Sequence, residues 1–191
     1  MLISFTGCQS SGKTTLLKHL QEYNSLNTSL RFIPEVTRLV RREYNVPINE
    51  NGNDLTQMLI SSYHLINCMS KQNDNCVTIL DRCSLDGLVY THYLTEIGQT
   101  SMSAYIQSKT IYDATKDYYD VIFYTDPNDV PLMNDGERSV DVTFRNRIIE
   151  LFDQYLETHD RDNVVVVKGT VEERLDIIKT TLAKNNIDIN I

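Results

Sequence analysis

Apolar residues recur along the chain in two rhythms. Residues 2–6, 30–34, 76–81, 120–125 and 163–169 form short, nearly continuous apolar runs rich in Val, Ile and Phe, as strands covered on both faces should be. Between them, residues 13–23, 35–44, 54–70, 84–97, 101–118, 143–159 and 171–183 space their apolar residues at helical intervals. Strand–helix alternation of this kind predicts an α/β fold: a five-stranded parallel sheet between two helical layers, wound by right-handed crossovers. In such sheets, ligand-binding groups gather just beyond the carboxyl ends of the strands. Polar residues stand at those points here. Glu35 follows the second run, Asp81-Arg82 closes the third, Asp126 follows the fourth and Gly169-Thr170 the fifth.

The first strand-to-helix junction carries chemistry of its own. Gly7-Cys8-Gln9-Ser10-Ser11-Gly12-Lys13-Thr14 is a complete GxxxxGKT loop between an apolar strand and a leucine-spaced helix, the setting that gives this pattern its mechanism. Glycines let the backbone turn its N–H groups toward phosphate oxygens. Gly7, Gln9, Ser10, Ser11, Gly12, Lys13, Thr14 and Thr15 are therefore expected to hold the phosphates of ATP. Lys13 would reach the terminal phosphates, and Thr14 would offer its hydroxyl to Mg²⁺. With such a loop the expected strand order is 2-3-1-4-5.

Bulk properties narrow the class. A chain of 191 residues, 41% hydrophobic and 23% charged, is expected to fold as one domain over residues 1–191. No apolar run approaches the ~20 residues needed to cross a bilayer. The start of the chain enters a strand directly, so no signal peptide is expected, and the cytoplasm is the expected compartment. Cys8, Cys68, Cys76 and Cys83 have no metal-ligand spacing and read as reduced thiols. A formal charge of −8 disfavours sequence-independent binding to nucleic acid, which needs a basic face.

Further residues fit phosphoryl transfer, each with a plainer alternative. Asp81 ends an apolar strand where a carboxylate can hold Mg²⁺ through water; a solvated strand end is the alternative, with Ser84 as the expected cap of the next helix. Arg82 is placed to contact an acceptor, or to pair at the surface. Glu35 or Asp81 could receive the proton of an attacking hydroxyl, although Glu35 could simply favour a helix start; Arg38, its i,i+3 neighbour, could position the acceptor with Arg82. Residues 126–139 are polar, hold two prolines and an Asp135-Gly136 turn, and lead to Arg138, Arg145 and Arg147. They predict a lid at about 126–147 whose arginines, Arg138 and Arg145 above all, stabilise the transferred group; a plain surface loop is the alternative. Gly169-Thr170 could approach an adenine edge or cap the last helix. Most of the 11 tyrosines at helical spacing read as packing residues, and His19, His64 and His92 as surface or core.

The segments GCQSSGKTT, PEVTR, LDRCSLDGLVY, YDVIFYTDP, NDGERSVDVTFR and GTVEER, in this order, resemble the NadR-type AAA family of P-loop kinase-like proteins in its stand-alone bacterial or phage form. The family is similar in layout to ribosylnicotinamide, deoxynucleoside and thymidylate kinases. The resemblance implies a Mg-ATP-dependent kinase of a nucleoside, nucleotide or nucleoside-like acceptor. It matches Glu35 to a carboxylate that serves as base in nucleoside kinases, Asp81-Arg82 to an acidic–Arg pair, and Arg138 to Arg145 to the lid. Two other functions fit the residues: a phage-type kinase of a modified pyrimidine in DNA, and a nucleotide-dependent switch. No NKxD-type base-reading sequence supports a GTP switch.

Overall fold

The structure, a computed structural model, describes residues 1–70, 76–128, 130, 141–159, 162–187 and 189. Five parallel strands, β1 (Leu2–Thr6), β2 (Leu30–Ile33), β3 (Val77–Asp81), β4 (Val121–Thr125) and β5 (Val164–Val167), form one sheet in the order β2-β3-β1-β4-β5. Helices α1 (Lys13–Tyr23), α2 (Val36–Tyr44), α3 (Asp54–Met69), α4 (Ser84–Glu96), α5 (Met102–Thr115), α6 (Val142–Glu157) and α7 (Val171–Lys184) connect and cover it. Both the expected strand order and the strand positions are met, with boundaries trimmed by a residue or two.

The period-2 alternation of side chains sorts the core into two halves. Ile3 and Phe5 of β1, Ile79 of β3 and Phe123 of β4 point to the face packed by Leu16, Leu20 and Ile178. Leu2, Leu80 and Ile122 point to the opposite face, against Leu85, Leu88, Phe144 and Ile148. Central strand β1 is buried throughout, whereas Val166 on edge strand β5 is 49% exposed. A smaller cluster of Val36, Val40 and Ile60 joins α2 to α3.

Two local expectations change. The stretch 101–118 divides into α5 and a 3-10 turn, Lys116–Tyr118. The cap of α4 is Cys83 rather than Ser84; the Asp86 carboxylate accepts the Cys83 N–H at 2.9 Å. Half of the lid expected at about 126–147, Arg138 included, lies outside the described residues. No helix among those described is long and apolar enough to cross a membrane.

Candidate active site

The loop from Gly7 to Thr14 carries the chain from β1 into α1. Its conformation excludes side chains at two points. Gly7 (φ +134°) has no room for a Cβ, which would lie 2.8 Å from Thr125 Oγ1, and Gly12 caps α1 at φ +90°. Residues Gly7 to Ser11 are buried. Lys13 Nζ donates to the carbonyls of Gly7 and Cys8, each at 2.7 Å, and to Ser11 Oγ at 3.0 Å. Burial and the nearby Arg82 guanidinium push this ammonium down to about 8.

One strap that sequence reading left unassigned ties the loop to its neighbours. Arg174 of α7, 2% exposed, donates to the carbonyls of Ser11 (2.9 Å), Asp126 (3.0 Å) and Gly169 (2.8 Å). It thereby joins the turns after β1, β4 and β5. A planar guanidinium fork can serve three carbonyls at once, which a lysine ammonium on a flexible stem does less well. Arg174→Ala is expected to cost about 2–3 kcal/mol in urea unfolding and to weaken nucleotide binding roughly tenfold, with little rescue in Arg174→Lys.

A second group of charges lies beside the loop. Arg82 follows β3 with its backbone in the left-handed region, φ +78°, a conformation that costs a non-glycine residue roughly 1 kcal/mol or more. Its N–H bonds the Phe5 carbonyl at 2.9 Å. Its Nε donates to Glu35 Oε1 at 2.6 Å and its Nη1 to Asp86 Oδ1 at 3.0 Å. Arg38 Nε takes the other Glu35 oxygen at 3.0 Å. Burial opposes ionisation of Glu35, but Arg82 with its hydrogen bond outweighs it and holds the carboxyl at about 2. For Asp81, burial and the Glu35 charge act together and raise the carboxyl to about 6.

Asp86 was missed by sequence reading as a site residue. It is 2% exposed, accepts the Thr6 hydroxyl at 2.7 Å as well as the Cys83 N–H, and so fixes Arg82 from behind. The signal for it was the apolar setting of the carboxylate in Leu85-Asp86-Gly87. Tyr90 departs from the packing role read for the tyrosines. Its hydroxyl donates to Gln9 Oε1 at 2.9 Å and accepts the Gln9 N–H at 3.1 Å, and the Arg82 guanidinium lies 5.4 Å from its ring centroid.

Three hollows meet around these residues. A small cavity is lined by Ser10 to Thr14 with Glu35, Asp81 and Arg82. A neighbouring pocket, bounded by Gln57, Ile60, His64, Asp86 and Tyr90, also has Glu35 and Arg82 on its wall. A cleft of about 240 Å³ runs along Gly12, Thr15, Val130, Gly169 and Thr170. Gly169 (φ +94°) makes the turn there. Thr170 caps α7 in a reciprocal box with Glu173, the Thr170 N–H reaching Glu173 Oε2 at 2.7 Å, so the capping alternative holds and both residues also line the cleft.

The arginines expected in the lid part company. Arg145 Nη2 donates to the Pro127 and Val130 carbonyls at 2.9 and 3.0 Å, and its positive charge opposes the rise that burial imposes on the Cys8 thiol of the loop. Arg147 turns to the surface and pairs with Glu96 and Glu150, away from the loop.

His64 is a core residue of unusual standing, 1% exposed with neither ring nitrogen hydrogen-bonded among the described residues. Burial lowers it to about 4, against the pull of Asp86 and, less strongly, Glu35, with Arg82 adding to the lowering. The folded state therefore resists protonation that the unfolded chain accepts. Stability is full above pH ~6.5 and is expected to fall by up to about 3 kcal/mol as pH drops from there toward 4. Urea unfolding as a function of pH should show this slope in the wild type and lose it in His64→Leu.

The fold and this loop define a P-loop nucleotide-binding protein with the layered, parallel-sheet layout of P-loop kinases. The chain belongs to the AAA domain family, whose model matches residues 2–174. No curated protein sequence matches it. Among solved structures, a NadR protein in complex with NR superposes with a TM-score of 0.72 at 17% identity, covering 100% of this chain and 53% of that one. The chain thus spans about half the length of that protein. Deoxyadenosine kinase from M. mycoides matches at TM-score 0.68 and 15% identity, covering 97% and 100% of the two chains. Thymidylate kinase from Candida albicans matches at 0.67 and 16%, covering 100% and 97%. At these identities the likeness establishes the fold.

Proposed function

We propose that this chain is a Mg-ATP-dependent phosphotransferase acting on a nucleoside, nucleotide or nucleoside-like acceptor. One observation carries the reading: the phosphate-loop cavity and the neighbouring pocket share a wall made of Glu35 and Arg82. A phosphoryl donor on one side of that wall and an acceptor on the other would meet at the same two side chains.

The oxygen-rich set of Thr14 and Asp81, in one cavity with Lys13, suits Mg²⁺ accompanying the triphosphate. Among the described residues no cluster of His, Cys, Asp or Glu would hold a metal unaided. When bound, Mg²⁺ would neutralise charge on the phosphates. Lys13 and the N–H groups of Gly7 to Thr15 bind those phosphates, while Gly169 and Thr170 border the cleft beyond for the rest of the nucleotide. Glu35 faces the acceptor pocket, which Asp81 does not line, so Glu35 aligns the attacking hydroxyl and receives its proton, leaving Asp81 to the metal. A carboxylate held near 2 is a weak base, but in a loose phosphoryl-transfer transition state positioning matters more than early deprotonation. Arg82 and Arg38 orient the acceptor and the Glu35 carboxylate, and Arg145 with Arg138 closes over the transferring group. The domain reading, one unit over 1–191 with its lid at about 126–147, is part of the same proposal.

ADP release from Mg-ATP, measured against nucleosides, nucleotides, nicotinamide riboside and DNA, tests it. Stimulation by one small acceptor identifies the kinase and its substrate. ATP binding without any stimulation would favour a nucleotide-dependent switch, and stimulation by DNA alone would favour a kinase of modified DNA.

A further inference from the structure

The buried face of α3 presents a seam of polar side chains to α4 and α5. All but one are satisfied within the protein. Thr56 Oγ1 donates to the Pro47 carbonyl at 2.8 Å. The Gln57 amide oxygen accepts from Thr91 Oγ1 at 3.0 Å. Ser61 pairs with Ser108 at 2.6 Å. His64, on the same face, is the exception: it is 1% exposed and neither nitrogen has a partner among the described residues. A buried polar group left unpaired costs free energy and calls for an explanation.

His64 lines the polar pocket that shares the Glu35–Arg82 wall with the phosphate loop. Gly87 faces it with so little clearance that a Cβ there would lie 3.3 Å from His64 Cδ2, so the ring is seated by backbone on one side. The inner wall around it holds Gln57, uncharged, and Asp86, whose carboxylate is already bonded to Thr6, Arg82 and Cys83. Ile60 and Tyr90 add apolar surface. The pocket holds only about 20 Å³ as it stands, so a ligand must displace its walls to enter, but the chemistry of the lining suits a flat, uncharged ring with polar atoms on its edge.

Resting on the kinase reading above, we propose that His64 is a specificity-determining residue whose ring nitrogen hydrogen-bonds the heterocycle edge of a nucleoside acceptor, with the acceptor hydroxyl at the Glu35–Arg82 wall. A neutral imidazole offers one donor and one acceptor, and a site built to pair with a polar edge rejects ligands lacking it.

The test is direct binding of free ribo- and deoxyribonucleosides and nicotinamide riboside, without ATP, by calorimetry and thermal shift. At least one is expected to bind the wild type and Lys13→Ala. His64→Leu is expected to weaken that nucleoside about tenfold or more, with ATP affinity unchanged and a melting temperature no lower. His64→Gln, which keeps a donor and an acceptor, should recover part of the affinity. In the wild type, the side-chain nitrogen resonances of His64 should shift on adding the same nucleoside, a readout that needs no variant. Absence of nucleoside binding to the wild type, equal affinity in His64→Leu, or unmoved His64 resonances would each overturn the assignment. Nucleoside binding that is lost in His64→Leu, combined with no ADP release from Mg-ATP, would leave the assignment standing and remove the kinase.

Discussion

Replacing Arg82 by alanine is expected to be the most damaging single change to stability, about 3–5 kcal/mol in urea unfolding. The guanidinium is the shared partner of Glu35 and Asp86, whose side chains are only 14% and 2% exposed. Without it buried Asp86 loses its cation, and Glu35 keeps only the more exposed Arg38. The backbone adds a second cost that alanine does not relieve, because its Cβ keeps the strain of φ +78°. Arg82→Gly should therefore be less destabilised than Arg82→Ala, by about 1 kcal/mol. Adding Glu35→Gln to Arg82→Ala should restore stability, since it removes one stranded charge. A double-mutant cycle reads this as a coupling energy, and additive losses would show that the pair contributes nothing. The sign of the pH dependence follows from Glu35, held at about 2 by Arg82 against the opposing effect of burial. Its contribution is present above the unfolded value near pH 4.5 and is lost as pH falls from there toward 2.

Lys13→Ala should have the largest effect on turnover, a loss of roughly 10³-fold in ADP release with any accepted acceptor. Little stability should go with it. Among the described residues the ammonium bonds only to its own loop, at Gly7, Cys8 and Ser11, and burial already holds it at about 8. The cost of desolvating the charge and the benefit of its hydrogen bonds thus largely cancel. Unfolding and turnover measured on the same preparation separate the two. A Lys13→Ala protein that is folded and still turns over at the wild-type rate would mean that the phosphates are held elsewhere and that the proposed function is wrong.

Legibility differed residue by residue. Glu35 and Arg38 stand one helical turn apart, and that local spacing does bring them together at 3.0 Å. Gly7 and Gly12 were readable because only glycine tolerates their backbone angles. Arg147 fell on the expected lid and yet turned away to Glu96, a partner 51 positions distant. Asp86 looked like one more helical acid until Thr6 was found bonded to it across 80 positions. Arg174 bonds Ser11 across 163 positions, and no window of sequence contains both ends of that contact.

The sequence by itself determined the strands, the helices, the layered α/β class and the phosphate loop. These rest on short-range regularities: side chains alternating every two residues in a strand, apolar residues recurring every three or four in a helix, glycines where the backbone must turn. Tertiary structure alone decided how charge is shared at the site. The order β2-β3-β1-β4-β5 sets the turns after β1 and β3 side by side, so Arg82 lies between Glu35 and Asp86 and one wall faces two hollows. Packing of α3 against α4 decided that His64 is buried without a hydrogen-bond partner among the described residues. Burial and pairing energies depend on which distant groups are brought within a few ångströms, and that distance is a property of the fold.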